Sequence, residues 1–313
     1  MNFSDHNSMF CVMYHYIRES EKSKLRCLDR ADFIQQLDFL EETYGVVKRE
    51  QYDDILNGKY FGGAILTFDD GLKEHYSRVS DILEERGYLG IFFINTNPPA
   101  NNLPCSVHLL HYLLANYSHE EIQSADSYME ISNEIKATKR MDFSSQWSVI
   151  GADEFTKELK TFFNYRKNSD SEAKICNLFF EMTQSSVSQF SREWYLNELE
   201  IVSLHNRGFV IGCHTVSHPL LSEVSREELE REISESTIYL NTILGKTCEV
   251  FSYPFGGKES YSEEAIKSFE SLDYKLGFSV SDELMDRDYF MRRFEIPRIN
   301  CNRLPFGASR SSC

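Results

Sequence analysis

The stretch GAILTFDDG, residues 63–71, is followed by EHYSRVSDILEERG (74–87) and YLGIFFIN (88–95). An apolar run, a segment with apolar residues at helical spacing and a second apolar run predict a strand, a helix and a strand. The same order recurs where YLNELEIVSLHNRG (195–208) precedes FVIGC (209–213). Strands that alternate with helices indicate a parallel sheet, either open or closed into a barrel.

A third round of this pattern follows, formed by CEVFSYPFGG (248–257), SEEAIKSFESL (262–272) and LGFSV (276–280), and FEIPRIN (294–300) adds a late strand. Residues 97–193 differ, because they contain Ser- and Glu-rich helical stretches and no strand pattern. We expect one α/β domain formed by residues 1–96 and 194–313. We expect residues 97–193 to be a helical insertion that packs on this domain and can cover its active face as a lid.

Charge and hydropathy exclude several classes of protein. The formal net charge of the 313 residues is −16, which disfavours binding to nucleic acid. No apolar run approaches the roughly 18 residues of a membrane span. The N-terminal sequence lacks the pattern of a signal peptide, so we expect a cytoplasmic protein. The eight cysteines form no C-x-x-C pair, and we interpret them as reduced thiols.

Polar residues that bind metals or move protons follow two of the predicted strands, and YPFGG (253–257) follows a third. Asp69 and Asp70 follow the first run, and His214 and His218 follow FVIGC. Pro219 predicts an extended His218, which places the histidine pair on a loop. The carboxyl ends of parallel strands meet at one face, where two His and one carboxylate can hold a metal with open positions. Solvated loop histidines and a simple Asp-Gly turn are the alternatives.

The combination of LTFDDG (66–71) and HTVSH (214–218) resembles the polysaccharide deacetylase family, carbohydrate esterase family 4, whose domain is also called the NodB homology domain. The resemblance covers roughly residues 1–96 and 194–300. It implies a distorted (β/α)7 barrel and a divalent metal cofactor, with Zn²⁺ as the expected ion. It also implies a catalytic base at Asp69 and metal ligands at Asp70, His214 and His218.

Two positions depart from the pattern of this family. Its third motif usually carries an Arg where this chain has Ser252, although Tyr253, Pro254, Phe255 and Gly256 fit the substrate-binding wall of a sugar groove. We expect another cation to hold Asp69, and Arg298 at a later strand end is the candidate. A surface salt bridge is the alternative for Arg298.

The general acid of the family is usually a His near the C-terminus, yet no His follows His218. His15, in VMYHYI (12–17), is our candidate proton donor, since an amine leaving group needs one. This arrangement resembles the circularly permuted deacetylases that act on poly-N-acetylglucosamine. A core histidine is the alternative for His15. We interpret His108 and His111 as packing or solvated residues of an amphipathic helix, and a position facing the cleft is the alternative.

The resemblance implies a metal-dependent deacetylase that hydrolyses the N-acetyl or another N-acyl amide of an amino sugar. The absent signal peptide suggests a role in biosynthesis of a bacterial surface glycan. The expected partner is a carbohydrate substrate, either an N-acetylated sugar, a sugar nucleotide or a lipid-linked unit. An O-acetyl esterase, an amidohydrolase acting on a non-sugar amide and a degenerate, non-catalytic sugar-binding protein are the alternatives.

Overall fold

A computed structural model describes residues 8–19, 25, 27–137, 153–165 and 169–307. Within these residues seven strands form one parallel sheet. The strands are β1 (Met9–Tyr14), β2 (Gly63–Phe68), β3 (Gly90–Ile94), β4 (Val210–Cys213), β5 (Val250–Ser252), β6 (Leu276–Phe278) and β7 (Arg298–Asn300).

The sheet curls into a nearly closed barrel. Its hydrogen-bonded order is β6-β5-β4-β3-β2-β1-β7. The remaining gap between β6 and β7 is narrowed by a parallel bridge from Phe278 to Ile296, where the Ile296 amide donates to the Gly277 carbonyl at 2.8 Å. The prediction of a distorted (β/α)7 barrel is confirmed.

Helices surround the strands and lie in the segments that connect them. They are α1 (Arg30–Thr43), α2 (Tyr52–Leu56), α3 (Ser80–Arg86), α4 (Asn97–Asn101), α5 (Ser106–Asn116), α6 (His119–Ser124), α7 (Asp126–Ala137), α8 (Glu154–Tyr165), α9 (Ser169–Thr183), α10 (Val187–Trp194), α11 (Glu198–Asn206), α12 (Arg226–Leu244) and α13 (Glu263–Ser271). A π-helical turn at His75–Val79 leads into α3.

Alternate strand residues pack into two apolar layers. One cluster, which includes Cys11, Ile65 and Phe93, fills the barrel interior. The neighbouring residues Val12 and Leu66 belong to the layer between the strands and the outer helices. This alternation follows from the two-residue period of a strand, and it determines which side chains reach the barrel mouth.

Helices α4 to α10 lie between β3 and α11 in the chain, and α5 to α10 contribute to one hydrophobic cluster. Leu110 of α5, Leu159 of α8 and Leu178 of α9 are central to it. The cluster also includes Leu72 and Tyr195, whose backbones form an antiparallel bridge. The inserted helices therefore pack onto the turn that follows β2.

Two expectations from composition bear on the described residues. None of the described helices has both the length and the apolar character that crossing a membrane requires. The seven cysteines within the described ranges are free thiols. Cys313 lies outside the described residues.

Candidate active site

The candidate site lies at the carboxyl-terminal mouth of the barrel. Ile65 faces the interior, and the two-residue strand period brings Thr67 and then Asp69 to the same side. The same step places His15 on the inward side after β1 and His214 on the inward side after β4. Three separate strands thus direct polar groups to one point.

Asp69 forms a bidentate ion pair with Arg298. Arg298 Nη1 donates to Asp69 Oδ1 at 2.7 Å and Nη2 donates to Oδ2 at 2.8 Å. Nη2 also donates to Ser252 Oγ at 2.7 Å, and Nε donates to the Ser279 carbonyl at 3.2 Å. Arg298 is 0% exposed, so this is a buried pair rather than a surface salt bridge. Ser252, at the usual Arg position, accepts from the same guanidinium.

The charge state of Asp69 follows from two opposed effects. Burial acts to raise the pKa of Asp69, but the positive charge and hydrogen bonds of Arg298, with help from His214, more than offset it. The pKa of this carboxyl therefore lies below its ordinary value. Asp69 is an ionised acceptor at neutral pH.

Asp70, His214 and His218 form a buried cluster of possible metal ligands. Asp70 Oδ1 lies 3.4 Å from His214 Nε2 and 3.6 Å from His218 Nε2. Within the described residues Oδ1 is buried and has no hydrogen-bond partner. Two ligand atoms about 2.1 Å from a tetrahedral ion lie roughly 3.4 Å apart. The three groups therefore fit a divalent cation and leave positions open for substrate.

Hydrogen bonding fixes which nitrogen His214 presents to the cluster. His214 Nδ1 lies 2.8 Å from the Ser252 carbonyl, which can only accept, so Nδ1 carries the proton and the Nε2 lone pair faces Asp70. Burial acts to lower the pKa of His214, but Asp70 and then Asp69 raise it above its ordinary value. For Asp70, burial acts to raise the pKa, and His108 foremost holds it well below the ordinary value.

The loop that carries the two histidines is held from behind by Glu232 of α12. Glu232 Oε2 accepts from the Val216 and Ser217 amides, each at 2.9 Å. Glu232 Oε1 accepts from Ser217 Oγ at 2.7 Å. Glu232 is itself buried, so these donors satisfy a charge that would otherwise be costly to bury.

The expectation of an extended His218 was wrong. Its φ is +63°, and that of Thr215 is +67°, both in the left-handed region. The His218 amide donates to Thr215 Oγ1 at 3.1 Å, which closes the loop on itself. This local bond and the Glu232 contacts outweigh the preference that Pro219 imposes. The histidine pair nevertheless lies on a loop, as the sequence predicts.

His15 lies close to the carboxylates of Asp69 and Asp70. Its Nε2 is 4.0 Å from Asp69 Oδ2 and 3.8 Å from Asp70 Oδ2. Its side chain is 35% exposed, unlike the buried ligand cluster. Buried His75 Nε2 lies 2.9 Å from the His15 carbonyl, so it donates to the backbone of this residue. His15 is thus exposed to the cavity rather than packed in the core, and its role stays a prediction.

His108 is a site residue that the sequence reasoning missed. It projects from α5, is 2% exposed, and places Nε2 3.1 Å from Asp70 Oδ2. Its Nδ1 is hydrogen-bonded to the Tyr195 hydroxyl. The only sequence signal was the His108–His111 spacing on one helix face, which does not indicate which side chains that face meets.

A cavity of about 520 Å³ opens above these groups. It is bordered by the barrel mouth and by residues of α5 and α8, including His111, Leu114 and Lys160. Of the four residues expected to form a sugar-groove wall, Tyr253 and Phe255 border the cavity, and Pro254 and Gly256 do not.

The two bordering residues present different groups. The Phe255 ring packs edge-on against His218 with centroids 4.7 Å apart. The Tyr253 ring instead stacks on Tyr261 in the outer layer. The Tyr253 amide donates to the Phe278 carbonyl at 3.1 Å. Strand pairing between β5 and β6 therefore occupies this amide.

Comparison with known proteins gives a consistent picture. The family model for "Polysaccharide deacetylase" matches residues 160–277. This range contains His214, His218 and the 253–256 stretch, and it excludes Asp69, Asp70 and Arg298. A Bacillus subtilis protein with the provisional name of polysaccharide deacetylase YxkH is 24% identical over 106 residues, which cover 34% of this chain and 37% of that relative.

Solved structures match over more of the chain. The Streptococcus pyogenes deacetylase PplD, solved with acetate, has a TM-score of 0.56 at 17% identity and covers 95% of this chain and 93% of its own. IcaB from Ammonifex degensii has a TM-score of 0.51 at 16% identity, with 87% and 84% covered. The BpsB deacetylase domain from Bordetella bronchiseptica has a TM-score of 0.54 at 10% identity, with 96% and 98% covered. At these identities the likeness concerns the fold.

Proposed function

Because this chain belongs to the polysaccharide deacetylase family, we propose that it hydrolyses the N-acetyl or another N-acyl amide of an amino sugar with a divalent metal, expected to be Zn²⁺. One observation carries the proposal: the Arg298-paired Asp69 and the cluster of Asp70, His214 and His218 lie together at the floor of one cavity. A structural zinc site surrounds its ion with four protein ligands, whereas three ligands leave room for substrate.

A divalent cation at the cluster would supply Lewis acidity toward the acyl carbonyl and toward water. Asp69 accepts the proton of the attacking water. Arg298 binds both carboxylate oxygens of Asp69, which fixes the orientation of the base and keeps it ionised. Asp69 borders the cavity, so its remaining lone pairs are within reach of a water there.

His15 completes the proton transfers in this proposal. Amide hydrolysis expels an amine, which leaves only after its nitrogen is protonated. His15 borders the same cavity, and its Nε2 lies 4.0 Å from Asp69 Oδ2, beyond hydrogen-bond distance. We assign it the role of general acid, which transfers a proton to the leaving nitrogen.

The cavity supports a substrate of limited size. Its volume of about 520 Å³ lies within the range of small-molecule sites, and α5 and α8 form one of its walls. Lys160 can attract a phosphate and Leu114 offers apolar contact, features that suit a sugar nucleotide or a lipid-linked unit as well as a simple N-acetylated sugar. The cytoplasmic location and the role in surface glycan biosynthesis belong to this proposal, and cell fractionation tests the location.

The experiment compares the wild type with Asp69→Asn and His214→Ala. Zinc content is measured after metal loading, and amine and acetate release are measured on N-acetyl sugars, sugar nucleotides and O-acetyl esters. We expect Asp69→Asn to keep zinc and lose about 10²–10⁴-fold in turnover, and His214→Ala to lose both. Normal turnover by Asp69→Asn would overturn the base assignment. Release from O-acetyl esters alone would indicate an esterase, and sugar binding without zinc would indicate a degenerate member.

A further inference from the structure

A chain of hydrogen bonds runs from the inserted helices to the metal-ligand cluster. We infer that His108 of α5, held by Tyr195, is a positioning residue that orients the Asp70 carboxylate for metal binding. The inference rests on the proposed function, because Asp70 is a ligand only if the cluster binds a metal. It extends that function, since it makes the helical insertion a part of the metal site rather than only a cover.

The direction of each hydrogen bond in this chain is determined by chemistry. The Cys105 amide donates to the Tyr195 hydroxyl oxygen at 3.0 Å. The single hydroxyl hydrogen of Tyr195 is then left for His108 Nδ1. Burial raises the pKa of the Tyr195 hydroxyl well above its ordinary value, so this hydrogen is present. With Nδ1 as acceptor, a neutral His108 carries its proton on Nε2 and donates it to Asp70 Oδ2.

This arrangement separates the two oxygens of Asp70. Oδ2 accepts from His108 at 3.1 Å, while Oδ1 faces His214 and His218 at 3.4 and 3.6 Å. A carboxylate with one oxygen fixed cannot rotate its other oxygen away from the ion. A partner that holds a ligand in this way usually contributes about 10–100-fold to metal affinity.

The backbone reinforces the same contact. Tyr195 forms an antiparallel bridge with Leu72, and the Leu196 amide donates to the Gly71 carbonyl at 2.9 Å. The residue that orients His108 is therefore bonded to the turn that carries Asp70. Asp70 itself has a φ of +74° and Gly71 a φ of +64°, a turn conformation that needs such support.

His108 is unsuited to the other roles that a histidine could take here. Both of its nitrogens are hydrogen-bonded and it is buried, so it has no exposed proton for a leaving group. Its Nε2 lies against Oδ2, on the side of the carboxylate away from the two ligand nitrogens. Its interaction with the metal is therefore through Asp70.

The test measures zinc dissociation constants by competition with a chromophoric chelator, and the visible absorption spectrum of the Co²⁺-loaded protein. We expect His108→Leu to weaken zinc binding about 10–100-fold and to change the Co²⁺ spectrum. His108→Gln keeps an N–H donor and should recover most of the affinity. Tyr195→Phe should weaken binding less than His108→Leu, and should add no further loss in the His108→Leu background.

His111→Leu is the matched control, because His111 lies one turn along α5 and contacts Tyr16 rather than Asp70. It should leave the zinc affinity unchanged. Far-UV circular dichroism of each metal-free variant checks the fold, and if His108→Leu does not fold, His108→Gln and Tyr195→Phe carry the test. If folded His108→Leu binds zinc as tightly as the wild type, this inference alone is overturned. If His108→Leu does not fold, wild-type zinc affinity in folded Tyr195→Phe overturns it in the same way. A wild type that binds no zinc overturns it together with the proposed function.

Discussion

At the scale of single residues, the buried pair of Asp69 and Arg298 explains how this chain tolerates two adjacent carboxylates in its interior. Both oxygens of Asp69 are hydrogen-bonded to one guanidinium, and the positive charge offsets the desolvation of the carboxylate. Asp70 is stabilised differently, because its Oδ2 accepts a hydrogen bond from His108 Nε2. The neighbouring charges thus have separate partners on opposite sides.

Removing Arg298 should therefore be costly. Arg298→Met fills the space but leaves a buried carboxylate without its counter-charge, and we expect the free energy of unfolding to fall by about 3–5 kcal/mol. Arg298→Lys keeps the charge but loses the bidentate geometry, so the free energy of unfolding should fall by less than in Arg298→Met. Urea denaturation of the metal-free protein measures both. An Arg298→Met variant as stable as the wild type would contradict the role assigned to the pair.

The proposed role of His15 makes a prediction about leaving groups. His15→Ala should lower turnover of an N-acetyl sugar by about 10²–10⁴-fold. Turnover of 4-nitrophenyl acetate should change far less, because a nitrophenolate leaves without a proton. Paired rate measurements on the two substrates test this, with His119→Ala on the exposed surface of α6 as the control. Equal losses on both substrates would remove His15 from the protonation step.

At the scale of elements, α12 supports the loop after β4 through one buried carboxylate. Glu232→Ala removes the acceptor of three hydrogen bonds and frees a loop with two left-handed residues. We expect zinc affinity to fall about 10–100-fold and the melting temperature to fall as well. Glu232→Gln keeps one acceptor oxygen, so its zinc affinity and melting temperature should lie between those of Glu232→Ala and the wild type. Glu235→Ala on the exposed face of α12 should match the wild type in both. An unchanged zinc dissociation constant in Glu232→Ala would show that the loop after β4 keeps its conformation without Glu232.

The sequence predicts a helix or strand when the residues that determine it are neighbours in the chain. The alternation of strands and helices predicted a parallel sheet, and the resemblance to the deacetylase family implied the barrel, which is confirmed. Their positions directly after strands predicted that Asp69, Asp70 and His214 lie at one face. Arg298 was predicted as the cation that holds Asp69, although it is the first residue of β7, paired with Cys11, rather than a residue that follows a strand. His108 was not, since its position depends on how α5 packs against α8 and α9. The engaged amide of Tyr253 likewise depends on pairing between β5 and β6.

At the scale of the whole molecule, the barrel and the inserted helices share the site. The barrel supplies Asp69, the proposed base, and the cluster of Asp70, His214 and His218, and α5 and α8 supply one cavity wall. Helix α5 also places His111 in this wall, where its Nδ1 lies 3.0 Å from the Tyr16 hydroxyl. A partly buried histidine at this contact links the stability of the folded chain to pH.

Burial, and after it the charge of Lys160, lowers the pKa of His111 well below 6.5, while Asp70 opposes the shift. The unfolded chain protonates this residue near pH 6.5, so below that pH it binds the proton that the folded chain excludes. Stability should thus fall as pH decreases from 6.5 toward the folded pKa. His111→Asn should reduce this slope by up to about 1.4 kcal/mol per pH unit. Urea denaturation between pH 5.5 and 7.5 measures it, and parallel slopes for the two proteins would refute the burial argument.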